Sequence, residues 1–125
     1  MSRLFVILLM IFCHIIADYN LQGWLASAKQ RSYWEQNAPD KMYKYDYIMV
    51  LIMHSISWTF MVMLPIAYVQ VFNIDIVFLT LFVGNVFIHA IVDHMKANEN
   101  IINLWHDQIM HMVQIGVTAM VGLYM

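Results

Sequence analysis

Between Tyr47 and Phe72 the chain runs without a single Asp, Glu, Lys or Arg, and three further stretches read almost as apolar. A helix needs about 20 such residues to cross a bilayer core at 1.5 Å per residue. The stretches predict helices over about 3–22, 47–72, 76–95 and 101–125. The first is the shortest in its apolar part, Leu4 to Ala17, and Pro65 is placed to kink or loosen the second. With 62% hydrophobic and 11% charged residues in 125, the composition excludes an ordinary soluble domain. The expected fold is all-α: one integral membrane domain, 1–125, built as a four-helix transmembrane bundle.

Arg3 followed by Leu4 to Cys13 imitates a secretory leader, but no small-residue cleavage signal follows and Asp18 ends the run. The segment is therefore expected to stay as the first helix. The polar stretch 23–46 mixes Trp24, Tyr33, Trp34, Tyr43 and Tyr45 with Lys29, Arg31, Lys41 and Lys44. The headgroup region favours aromatic and basic residues together, so an interfacial segment is expected between helices 1 and 2. Asn73 to Asp75 and Lys96 to Asn100 are short connections, which make neighbouring helices antiparallel. Lys29, Arg31, Lys41, Lys44 and Lys96 fall on one side, with Arg3 opposite. The positive-inside rule then puts the two polar connections in the cytoplasm and both termini outside. A net charge of -2 gives no reason to expect a nucleic-acid partner. Cys13, the lone cysteine, has no intrachain disulfide partner.

The ionisable residues inside the spans form a pattern. His14 and Asp18, His89 and Asp93, and Asp107 and His111 are each four apart, so each pair shares one helix face. The order reverses in the last span, which runs back through the membrane. Every Asp thus lies nearer one surface, with its His a turn deeper. His54 joins them from the second span and Asn85 lies one turn above His89. At helical rise all seven His and Asp groups fall within roughly 12 Å of the cytoplasmic boundary.

An Asp inside a span costs roughly 2.5–3.5 kcal/mol unless partnered. The spans offer no Lys or Arg at this depth, which leaves protonated histidines or a bound cation as counter-charge. Imidazole nitrogen and carboxylate oxygen are the ligands of zinc, manganese or iron. The expected ligand set is His14, Asp18, His54, His89, Asp93, Asp107 and His111, holding one or two divalent ions, zinc first among them. Three roles stay open to Asp18, Asp93 and Asp107: ligand, orienter of a His ligand, or general base in catalysis. A competing reading makes the same pairs simple hydrogen bonds that glue the bundle or snorkel to water.

The other polar residues carry less. His94 and His106 point about 100° away from their Asp neighbours and are expected on the surface. Gln22 continues the His14/Asp18 face, Gln108 and Lys96 fall at the mouth of the polar layer, Asp75 is placed to cap the third span, and Cys13 reads as an inert buried thiol. Ser55 and Ser57 lack the context of an activated nucleophile.

His14 with Asp18 and Gln22, then Lys29, His54 ahead of Trp58, Pro65, His89 with Asp93 and Lys96, and Asp107 with Gln108 and His111 occur in an order that resembles a family of small phage and bacterial membrane proteins of unknown function. A looser likeness is to membrane-bound metal-dependent hydrolases. The first resemblance implies a compact helical protein of a bacterial inner membrane; the second raises hydrolysis of a lipid-linked ester or phosphate at the cytoplasmic leaflet. The alternative is a non-enzymatic phage membrane factor, acting in superinfection exclusion, host takeover or lysis control, in which a metal or polar site only braces the helices. Oligomeric state is open on either reading.

Overall fold

The computed structural model describes residues 1–124, and the regular secondary structure among them is all helix. Helix α1, Arg3–Ile15, starts where the Ser2 side chain accepts from the Phe5 N–H, and it passes into a wider π-helical turn, Ile16–Asn20. Two short helices follow, α2 (Leu25–Ala28) and α3 (Arg31–Asn37), then a 3-10 turn over Lys41–Tyr43. The long helices are α4 (Asp46–Val69), α5 (Ile76–Ala97) and α6 (Leu104–Tyr124). Around the bundle, α1 packs on α4, α4 on α5, α5 on α6, and α6 back on α1.

The helix ends differ from the sequence expectation for local reasons. Helix α4 stops at Val69 rather than Phe72, because Val71 and Phe72 turn into the left-handed region (φ 54° and 57°) and the Phe72 N–H reaches back to the Ala67 carbonyl. Helix α5 begins where expected, with the Asp75 carboxylate accepting from the Phe78 N–H at 2.8 Å. Helix α6 starts later than residue 101, after Asn100 (φ 54°), with the Asn103 side chain capping the His106 N–H. Met125, the last position of the expected span, lies outside the described residues. Pro65 is accommodated inside α4 and is buried.

Three helical stretches are long and apolar enough to cross a membrane: 3–20, 41–69 and 76–97. Helix α6 is long enough but misses that composition because it carries Asp107, His111, Gln114 and Thr118, all of them buried. Its outward face, by contrast, is Ile109, Met110, Val113, Val117 and Met120, all exposed. The same inversion holds around the molecule, where Leu4, Phe12, Phe60, Val83 and Phe87 face outward while six histidines and aspartates of the polar layer are almost fully enclosed.

The half of the bundle away from the 21–45 connection, here the outer half, is filled by Val6, Met10, Val62, Ile66, Ile115 and Ala119 from α1, α4 and α6. Near mid-length a polar knot joins α5 to α6: Asn85 donates to Thr118 at 2.8 Å and Gln114 donates to the Asn85 side chain at 2.8 Å. Below it Trp58 lies fully buried, and beneath Trp58 is the His/Asp layer.

The 21–45 connection is folded down onto this inner end. Trp24, Tyr33 and Trp34 meet edge-on, with centroids 5.5–6.1 Å apart. The Trp34 indole donates to the Ala28 carbonyl at 2.7 Å. Asn98, just past α5, donates to the Lys29 carbonyl and accepts from the Arg31 N–H. One side chain thereby ties the hairpin of α2 and α3 to the end of α5.

Candidate metal centre

The sequence places His54, His89 and His111 on three different helices, and the fold brings their Nε2 atoms to one cluster of carboxylates. His54 Nε2 lies 3.3 Å from Asp18 Oδ1 and 3.4 Å from Asp93 Oδ2. His89 Nε2 lies 3.6 Å from Asp93 Oδ2 and 4.0 Å from Asp18 Oδ1. His111 Nε2 lies 3.3 Å from Asp107 Oδ1 and 3.5 Å from Asp93 Oδ1. All three imidazoles are buried, as are Asp93 and Asp107. Three overlapping groups, Asp18 with His54 and His89, His89 with Asp93 and His111, and Asp18 with Asp107 and His111, each bring one donor atom per residue within 4.8 Å of the others.

These separations carry chemical information. Well-made N–H···O bonds are 2.7–3.2 Å long, whereas ligand atoms about 2.1 Å from one tetrahedral ion stand about 3.4 Å apart. The contacts in the cluster, 3.3–4.0 Å, are of the second kind and are equally those of His–Asp ion pairs. Consistently, His54 Nε2, His89 Nε2, His111 Nε2, Asp18 Oδ1 and Asp107 Oδ1 are buried and have no hydrogen-bond partner among the described residues. A buried polar atom left without a hydrogen bond costs about 1–3 kcal/mol, and these five are spread over the three overlapping groups, each close enough to share one ion. Asp93 stands at the centre, with one oxygen toward His54 and His89 and the other toward His111.

His14 is held apart from this group. Its Nδ1 accepts from the Trp58 indole N–H at 2.8 Å, and since that group only donates, Nε2 carries the proton and donates to Gln108 Oε1 at 2.9 Å. Both ring nitrogens are used, and His14 belongs to none of the three groups. It takes the place of a supporting residue beside the cluster. The π turn bears on this too. Asp18 lies inside it and reaches His54 at 3.3 Å, while its expected i,i+4 partner His14 is 3.7 Å away.

Two further features depart from the sequence reading. The expectation that no lysine reaches the aspartates is overturned: Lys29 Nζ lies 3.0 Å from Asp93 Oδ2 and Lys96 Nζ 3.3 Å from Asp107 Oδ2. The hairpin pinned by Asn98 delivers Lys29, and Lys96 folds back from the last turn of α5. Trp58 is the residue the sequence reading missed as part of the site. It stacks on His89 (4.2 Å, 19°), and His89 in turn stacks on His111 (4.3 Å, 24°). Its spacing from His54, four residues on the same face, was the available signal.

His94 is half-buried and lies 3.1 Å from Glu99, and His106 is exposed, both away from the cluster as expected. Cys13 is buried. A small polar recess of 40 Å³ opens over the cluster, lined by Asp18, Asp93 and Asp107 with Lys29, Lys96 and Gln108 among others, and by none of the histidines. The carboxylates therefore face the opening and the imidazoles lie beneath.

Compared with known protein families, with curated proteins and with solved structures, the chain matches none of them. The functional reading rests on the residues themselves.

Proposed function

We propose that this chain is a four-helix transmembrane protein that holds one or two divalent cations, zinc foremost, and hydrolyses a lipid-linked ester or phosphate at the cytoplasmic leaflet of a bacterial inner membrane. The observation that carries the proposal is the convergence of five partnerless, buried nitrogen and oxygen atoms at ligand-to-ligand spacing. The apolar outward face of α6 supports its place as the fourth span. Five of the six basic residues lie on the side of the recess, which supports a cytoplasmic opening. The order of the His and Asp motifs supports kinship with the small phage and bacterial membrane proteins named above.

His54, His89, His111 and Asp93 are the residues placed to hold the ion, which when bound supplies a Lewis acid able to acidify water. Asp18 edges the recess, 10% exposed, with Oδ1 lacking a partner, and suits the general base that takes the proton of the attacking water. Asp107, whose Oδ1 lies 3.3 Å from the same His111 Nε2, sits beside that nitrogen as a further candidate ligand, and its other oxygen is held by Lys96 and Gln108. A second reading, a phage membrane factor with a purely structural ion, draws on the complete burial of His89 and His111, since structural sites are closed by protein ligands. The recess ending on three carboxylates favours the first.

The test uses purified protein in vesicles of bacterial inner-membrane lipid, zinc-loaded or chelator-stripped, assayed for released fatty acid and inorganic phosphate. Release by the loaded form, lost on chelation and in Asp18→Asn, is expected. Absence of both products from a metal-loaded sample would leave the structural reading standing.

A further inference from the structure

The recess above the cluster is bordered by two ammonium groups, Lys29 at 12% exposure and Lys96 at 36%. Each has three N–H donors and gives one to a cluster carboxylate. Three carboxylates against two ammonium groups leave one negative charge while the histidines are neutral. A single divalent cation reverses that sign, and a second ion makes the recess strongly positive. A neutral carboxylic ester has no charge to meet such a rim, whereas a phosphoryl group brings negative oxygens that ammonium groups hold by charge-assisted hydrogen bonds. A terminal phosphoryl group has three free oxygens to share between both ammonium groups and the floor of the recess, whereas a diester has two.

We infer that the substrate group is a phosphomonoester, its terminal phosphoryl oxygens held between Lys29 and Lys96. The inference rests on the metal-centre reading above. In the reaction the water oxygen bonds to phosphorus and the ester P–O bond breaks. Water gives one proton to Asp18, and the leaving alkoxide takes one from Lys96, which solvent restores. The products are an alcohol and inorganic phosphate.

The experiment is a calorimetric titration of zinc-loaded, detergent-purified protein with inorganic phosphate, sulfate and acetate, with metal content measured on the same sample. Phosphate is expected to bind at least about tenfold tighter than sulfate or acetate, and Lys96→Gln and Lys29→Gln to weaken it about tenfold each with metal content unchanged. Lys96 is partly exposed, so its variant tests the idea even if Lys29→Gln misfolds. Lys41→Gln, exposed and away from the recess, is expected to change nothing. A metal-loaded protein that binds phosphate no better than acetate, or is indifferent to Lys96→Gln, overturns this inference alone. A wild type without metal overturns it together with the reading beneath it. Phosphate release from phosphatidic acid in vesicles would assign a lipid substrate, release from glycerol phosphate a soluble one, and release from neither would sink the phosphomonoester.

Discussion

The two halves of the bundle are held together by different physics. In the outer half, Val6, Met10, Val62, Ile66, Ile115 and Ala119 interlock, and Gly122 lets α6 come so close to α4 that an added Cβ would stand 3.0 Å from the Ile66 side chain. Lipid gives apolar helices no hydrophobic reason to associate, so close packing must do it. In the inner half the helices instead face one another through imidazoles, carboxylates and two lysines. Buried ion pairs of this kind hold helices no better than a packed apolar layer of similar volume. The difference separates a half held by apolar packing from a half whose buried His and Asp groups lie within metal-binding distance of one another.

Substitutions that cross the boundary between the halves should break the comparison first. Trp58 belongs to both, packing in the core while stacking on His89 and donating to His14. Trp58→Ala is expected to cost about 3–5 kcal/mol in reversible unfolding from mixed micelles and to weaken metal retention as well. An intact metal site in that variant would uncouple the two halves. Next in size is the mid-length knot, where Asn85→Leu removes the side-chain bonds to Gln114 and Thr118 but leaves each a backbone carbonyl to donate to; it should cost about 1–3 kcal/mol while leaving metal content unchanged.

The smallest effect is expected at the surface end. Asn98→Ala removes the tie between the hairpin and α5, with a loss of about 1 kcal/mol. Its sharper signature would be faster proteolysis between Gly23 and Asp46, as the segment lifts and draws Lys29 from Asp93. Unchanged cleavage there would mean that the aromatic contacts of Trp24, Tyr33 and Trp34 hold the hairpin unaided.

How far the sequence revealed this arrangement follows the range of the interactions. Spacing of four within an apolar helix is local, so Asp93 with His89 and Asp107 with His111 were legible, and matched depth was enough to add His54. Contacts set by tertiary folding were not. Lys29 reaches Asp93 because a polar connection folds back, and nothing in its composition of aromatic and basic residues distinguishes lying on a membrane from covering a site. His14 looked like a ligand by spacing, but the indole of Trp58 and the amide of Gln108 claim its two nitrogens. The π turn that redirects Asp18 has no sequence mark, since Ile16–Asn20 contains no Pro or Gly to announce it.

The central claim is that the converging nitrogen and oxygen atoms hold a divalent cation. Elemental analysis of detergent-purified protein, run beside His89→Ala, His111→Ala and His14→Gln, addresses it most directly. The account predicts one or two ions per chain in wild type, loss of stoichiometric metal in His89→Ala and His111→Ala, and retention in His14→Gln, with helical content by circular dichroism unchanged in all. Wild-type protein free of stoichiometric metal, with both alanine variants inserting and folding equally well, would contradict it.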